Sequence, residues 1–206
     1  SGLPNEQKAN IRKAFAKGEV GREELIKAEN KAYHGEGTCT FYGTANSNQI
    51  IMEIMGVHIP GAAFVHPNSD LRHAYNVLAV EQAVKINSKG RDVRPIGKII
   101  DERSFVNAII GLLATGGSTN HTLHLPAMAA AAGIKLLWED FDDLSKIIPL
   151  LSKVYPNGSS DINQFHAAGG VSFIIGELLN NGLLDGSAQT IWKENLFDYF
   201  FEPTLI

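Results

Sequence analysis

One cysteine, Cys39, stands among 206 residues. A lone cysteine excludes an intrachain disulfide and gives no sign of a stapled secreted scaffold. Charge of neither sign is massed. The 18 Lys and Arg are scattered among 22 Asp and Glu, and the net charge is −4, a poor footprint for nucleic acid. No apolar run approaches the roughly 20 residues of a bilayer span. The opening stretch, SGLPNEQKAN, has no apolar segment of the signal-peptide kind. HExxH, GxGxxG and GK[ST] are all missing, so metalloprotease, dinucleotide and P-loop readings lack their signatures. These absences predict a soluble cytoplasmic chain with neither nucleic acid nor membrane as partner.

What is present suits a packed core: 44% of residues are hydrophobic and 19% charged. The length fits one large domain or a piece of a bigger one. NEQKANIRKAFAKGEV predicts an amphipathic helix from Asn5, with Ile11, Ala14 and Phe15 on one face and Gly18 at its end. GREELIKAENKAYHG predicts a second, closed by Gly35. ANSNQIIMEIMGV is apolar nearly all round, the mark of a buried helix. SDLRHAYNVLAVEQAVKIN follows, with Ser69 as N-cap and a stripe of Leu71, Ala74, Tyr75, Leu78 and Ala79.

DERSFVNAIIGLLATGG predicts another buried helix, capped by Asp101 and ended at Gly116 or Gly117. STNHTLHLPAMAAAAG opens a further helix, which Pro126 should kink or interrupt. IKLLW, residues 134–138, is the best strand candidate. Helix signals resume in EDFDDLSKIIPLL, in SSDINQFHAAGG with Asp161 as N-cap, and in VSFIIGELLNNG. No repeat and no interdomain linker appears, so residues 1–206 read as a single partial domain.

Two glycine-rich junctions carry chemical interest. In GEGTCTFYGTANSNQ, glycines let the backbone bend around Cys39 just before a buried helix. A thiol near a helix N-terminus has its thiolate stabilised, as a nucleophile or metal ligand requires. The alternative is that Cys39 is a small buried apolar side chain. In ATGGSTNH, Ser118, Thr119 and Asn120 follow Gly117 into a helix whose amides would suit a phosphate or carboxylate. Simple helix capping explains the same residues. His121 and His124 share a helix face, but no third ligand is near, and core-bonded or solvent-facing roles are expected. His66 reads as a turn residue, and the acids of WEDFDDL as helix-start carboxylates.

SGLPN, GTCTFYGTANSNQIIMEIMG, PGAAFVHPNSDLR, PIGKIIDE, LLATGGSTNHTLHL and YPNGSSDINQFHAAGGV, in this order, resemble the dihydroxy-acid dehydratase superfamily. The wording CTFYGTANSNQ and GGSTNH points to its phosphogluconate dehydratase branch. The resemblance runs from about Ser1 to Gly182 and weakens in the tail, SAQTIWKENLFDYFFEPTLI. It implies an α/β fold in which this chain is a helix-rich portion of an α/β/α layered N-terminal domain, with few strands of its own.

The resemblance also implies an iron–sulfur cluster held by three widely separated cysteines, with Cys39 as one metal ligand. One visible ligand fits [4Fe–4S], the expected type, or [2Fe–2S]. A divalent metal would bind outside this stretch. The implied reaction is dehydration of 6-phospho-D-gluconate to 2-keto-3-deoxy-6-phosphogluconate, a step of the Entner–Doudoroff pathway. In that reading Gly117, Ser118, Thr119 and Asn120 bind substrate in the same cleft as Cys39, and Tyr42, Thr44 and Asn46 shape the cluster pocket. No catalytic base is assigned. Members of the family are far longer, so the chain is expected to be part of a homodimeric enzyme and inactive alone. Two other readings stay open: a dehydratase of another sugar acid or dihydroxy acid, and a non-catalytic anion-binding or dimerisation module.

Overall fold

The computed structural model describes residues 2–200; Ser1 and residues 201–206, the two ends of the expected domain, lie outside the described residues. The chain is helical: α1 (Asn5–Ala16), α2 (Arg22–Asn30), α3 (Thr44–Ile54), α4 (Asp70–Ile86), α5 (Ile96–Ile99), α6 (Glu102–Thr115), α7 (His121–Ala131), α8 (Trp138–Ser145), α9 (Ile162–Ala167) and α10 (Gly170–Asn180), then a 3₁₀ turn at Leu196–Phe200. Among the described residues there is no strand, only an isolated bridge between Val154 and Ser160.

Local chemistry sets the helix ends. Ser69 Oγ accepts the Arg72 N–H at 3.1 Å and starts α4. Asp101 and Ser104 form a reciprocal capping box at α6. That helix stops at Gly116, whose left-handed φ of 59° lets the Gly117 N–H reach back to Leu112 O at 3.0 Å. Asp161 accepts the N–H groups of Asn163 and Gln164 at α9.

Two buried helices make the frame. α3 turns Ile50 and Ile54 toward α10 (Ile174, Ile175, Leu178), and Ile51, with Met55 just past its end, toward Phe105, Ile109 and Leu112 of α6. The α3–α6 approach is close: a methyl on Gly111 would stand 2.4 Å from Ile54 Cδ1. Glu53, wholly buried on α3, accepts the N–H groups of Gly61 (2.7 Å) and Ala63 (3.3 Å), tying the 59–65 loop to the core. α4 lies on that loop through Leu71, Tyr75 and Leu78. Ala79, placed in the apolar stripe by the pattern, is exposed instead. On α1 the buried side chains are Asn5 and Lys8, while Phe15 is exposed. α2 ends at Asn30, before Gly35.

Two expectations need correction. IKLLW is not a strand. Ile134 N–H closes the end of α7 on Ala129 O (2.8 Å), and Leu137 N–H bonds Asp140 Oδ2 (2.7 Å) at the start of α8. The backbone of this short apolar run is therefore spent on two helix ends, while Ile134 and Leu136 pack against the Phe105–Phe141 cluster. Nor does Pro126 interrupt α7, which is assigned as helix without a break from His121 to Ala131. The carbonyl that a proline leaves without its helical donor is Thr122 O, and the Trp138 indole N–H bonds it at 3.0 Å. Trp138→Phe removes that donor and should lower stability by about 1 kcal/mol, read as a shifted urea midpoint. An unchanged midpoint would show that water replaces the indole.

Candidate active site

The loop before α3 is fixed on every side of Cys39. Asn163 Nδ2 donates to Cys39 O at 3.4 Å. Thr40 and Asn5 are buried and bond reciprocally, Thr40 Oγ1 to Asn5 Oδ1 (3.0 Å) and Asn5 Nδ2 to Thr40 O (3.2 Å). The Asn46 side-chain amide donates to Phe41 O. Tyr42 N–H bonds Tyr155 O (3.1 Å), and its hydroxyl donates to Thr115 Oγ1 (2.6 Å). Burial pushes the Tyr42 phenol well up and the Thr115 bond only partly opposes this, so Tyr42 remains a protonated donor. Cys39 itself is exposed, its Sγ 3.7 Å from Phe41 O. The buried apolar role for this cysteine is thereby overturned.

The opposite wall is the turn before α4. A Cβ on Gly35 would fall 2.4 Å from His66 Nε2, and one on Gly37, at φ 73°, 3.2 Å from Pro67 Cγ. Glycine is what allows the two loops to touch. His34 Nε2 bonds Asp161 Oδ2 at 2.7 Å and fastens the same loop to the start of α9. His66 keeps its turn role, its carbonyl accepting the Ser69 N–H and hydroxyl. Between the walls lies a cleft of about 590 Å³, lined among others by Cys39, Asn46, Gln49, His66, Arg72 and Asn163. Among the described residues no Asp or Glu lines it. Sequence reasoning missed Arg72 and Asn163. Arg72 sat inside the quoted stretch PGAAFVHPNSDLR, but only its helix-start position, not its side chain, was legible.

The second junction meets α3 on its first turn. Ser118 Oγ and Asn120 Nδ2 both bond Thr44 Oγ1 (2.8 Å each). A Cβ on Gly117 would lie 3.0 Å from Ser47 Cβ. Gly117 to Asn120 are not among the residues lining the Cys39 cleft. Three of their four amides have internal partners: Gly117 N–H on Leu112 O, Ser118 N–H on Ser47 Oγ and Asn120 N–H on Ser118 Oγ. Regular helix begins only at His121, and no side chain caps it.

His121 is buried and bonds Ser47 Oγ at 2.9 Å, whereas His124 is exposed, its ring edge-on to His121 at 5.3 Å. The acids of WEDFDDL serve helix α8: Asp140 caps Leu137 N–H, and Asp142 and Asp143 pair with Lys146. Among the described residues, no group of three or more His, Cys, Asp and Glu is placed to hold a metal ion. No helix there is long and apolar enough to cross a membrane.

Comparison with known proteins follows the same residues. The family described as dihydroxy-acid/6-phosphogluconate dehydratase N-terminal matches residues 3–199. Phosphogluconate dehydratase of Rhizobium meliloti is 55% identical over 205 residues, covering 100% of this chain and 34% of its own length. That of Escherichia coli K12 is 52% identical with the same coverage. Dihydroxy-acid dehydratase of a Hydrogenobaculum species is 36% identical over 183 residues, 87% of this chain and 32% of its own. The match to the family model extends past Gly182, to residue 199. The chain spans about a third of the length of these curated relatives.

Burial holds His121 below its ordinary value, the neighbouring His124 adds to this, and a bond with the Thr44 backbone opposes it. The unfolded chain takes up that proton first. The stabilising contribution of neutral His121 is then complete above a pH of about 6.5 and is lost as pH falls below it. His58, also held down chiefly by burial, acts with the same sign. Urea midpoints measured from pH 7.5 to 5.5 should fall, and His121→Gln should flatten the fall. An equal slope in the variant would remove His121 from the account.

Proposed function

This chain belongs to the dihydroxy-acid/6-phosphogluconate dehydratase family, as its N-terminal part, and we propose that it supplies one wall of the site where a phosphogluconate dehydratase removes water from 6-phospho-D-gluconate. In that elimination the C2–H and C3–OH bonds break, and the enol formed becomes 2-keto-3-deoxy-6-phosphogluconate. The identity of 50 to 55% over the whole chain to enzymes named phosphogluconate dehydratase supports this substrate. The 36% match to a dihydroxy-acid dehydratase is weaker, and that activity is what a comparative assay separates.

The single observation that carries the site is an exposed thiol on a backbone held at Cys39, Thr40, Phe41 and Tyr42, facing a cleft without acids. An iron–sulfur cluster, [4Fe–4S] in this reading, is tested against that geometry. Cys39 fits as a thiolate ligand, soft and accessible, and its backbone needs no rearrangement to present it. The chain has no second cysteine, so the remaining ligands belong to sequence outside this stretch, as does any divalent metal. When bound, such a cluster supplies a Lewis-acidic iron that polarises the leaving hydroxyl.

This chain's own residues position and bind. Asn46 and Tyr42 hold the loop, and Thr44 joins it to Ser118 and Asn120. Gly117, Ser118, Thr119 and Asn120 enter the proposal as a second contact for a substrate carboxylate or phosphate. Thr119 offers the one amide of the four without an internal partner among the described residues. The same reading makes 1–206 one partial domain, a helix-rich section of an α/β/α layered domain in a cytoplasmic homodimer.

Two experiments on the full-length enzyme check it. Cys39→Ser, purified without oxygen, should lose the visible absorption and iron of the cluster together with 2-keto acid formation. Retained iron and activity would end Cys39's role as a ligand. Ser118→Ala combined with Asn120→Ala should raise KM for 6-phosphogluconate at least about threefold, roughly one lost hydrogen bond, and an unmoved KM would take the second contact away.

A further inference from the structure

Arg72 differs from the arginines that have found a carboxylate. Arg12 bonds Glu29 (2.5 Å), Arg94 bonds Asp92 (2.7 Å) and Arg103 bonds Asp101 (2.6 Å). Among the described residues the Arg72 side chain bonds only carbonyls. Its Nη2 donates to Ala62 O at 2.6 Å and Val65 O at 2.8 Å, and its backbone N–H is fixed by Ser69. Among the described residues no acid stands within ion-pair distance of it. Burial draws the guanidinium below its ordinary value, with Tyr75 opposing. A part-desolvated cation with no counter-charge is unfavourable by itself, and an anion in the cleft would relieve it.

The surroundings fit that anion. Among the described residues no acid lines the cleft that Arg72 shares with Cys39, and its other polar walls include the amides of Gln49, Asn76 and Asn163. Asn76 follows Arg72 by four residues on α4, so both side chains share one face. With Nη2 committed to the two carbonyls, Nε and Nη1 have no partner among the described residues, and a guanidinium edge matches an oxyanion in shape as well as charge. The volume, about 590 Å³, lies in the range that takes a small phosphorylated acid.

We propose that Arg72 binds an oxyanion of the substrate at the Cys39 cleft and so sets which acids the enzyme accepts. The proposal rests on the dehydratase reading above for the identity of the substrate. Phosphate and carboxylate share the chemistry required, and the test tells them apart.

The test uses the cluster-loaded full-length enzyme and two variants, Arg72→Met and Asn76→Asp. The second keeps the carbonyl bonds of Arg72 and places a carboxylate beside its free edge. KM and kcat are measured for 6-phosphogluconate, and binding is measured by calorimetry with the product, 2-keto-3-deoxy-6-phosphogluconate, which keeps the carboxylate and the phosphate and is not dehydrated further. Each variant should weaken binding at least about tenfold, the size of a lost charged hydrogen bond, with the loss in KM rather than kcat. Inorganic phosphate serves as the second probe. If its inhibition weakens by a similar factor, Arg72 holds the phosphate; if only binding of the keto acid weakens, it holds the carboxylate. Wild-type affinity in Asn76→Asp and Arg72→Met overturns the proposal, and Asn76→Asp decides alone if Arg72→Met does not fold. A protein that binds 6-phosphogluconate through Arg72 but removes no water from it would sink the dehydratase reading instead, leaving the Arg72 contact in place.

Discussion

The contact between α3 and α6 is the constraint from which the candidate site follows. Gly111 has no side chain, and Ile54 fills the space that one would occupy. Bringing the two helices this close places the end of α6 beside the start of α3. Gly117, just past that end, rests on Ser47, and Thr115, one turn from Gly111, bonds Tyr42 from below. A bulkier residue at position 111 would separate the helices and move the Cys39 loop and the GGSTN junction together. Overpacking of this sort typically costs about 1–3 kcal/mol, and here the displacement would reach the site.

The polar interior serves the same end. Glu53, Asn5, Thr40, Asn107 and Ser104 are buried, and each finds its partner in a loop backbone, a helix cap or another buried side chain. Buried polar groups that are fully bonded fix one arrangement of loops where apolar packing would allow several. This matters in a chain without strands among its described residues, since no sheet ladder sets the register of its connections. The 34–43 and 56–69 segments hold their shape through side chains: Asn5, Asn46, Asn163 and Asp161 on one, Glu53 and Arg72 on the other.

Much of this was legible in the sequence, for identifiable reasons. Ser69, Asp101, Asp161 and Gly116 work through neighbours within four residues, so their spacing alone predicts the helix ends. The apolar surface of α3 and α6 declares both as buried. IKLLW misled because an apolar run of five reads the same in a strand and between two packed helix ends; only the bonds of Ile134 and Leu137 separate the cases. Pro126 misled because its remedy, the Trp138 indole, lies twelve residues away and belongs to another helix. Cys39 was identified through its loop wording, whereas its exposure depends on Asn5 and Asn163, 34 and 124 positions distant. Arg72 was invisible for the same reason: a charged residue in the first turn of a helix is ordinary until its missing counter-ion can be seen.

An exposed thiol on an immobilised backbone has a chemical consequence of its own. Folding of this region does not hide Cys39, so the sulfur stands open to whatever reaches it first. In the ligand role proposed for Cys39, a metal donor can be served without unfolding this loop. The same openness admits peroxide, which would carry an unloaded sulfur up the oxidation ladder to sulfenic acid and beyond. Protection has to come from the occupant of the cleft, or from the speed with which it arrives.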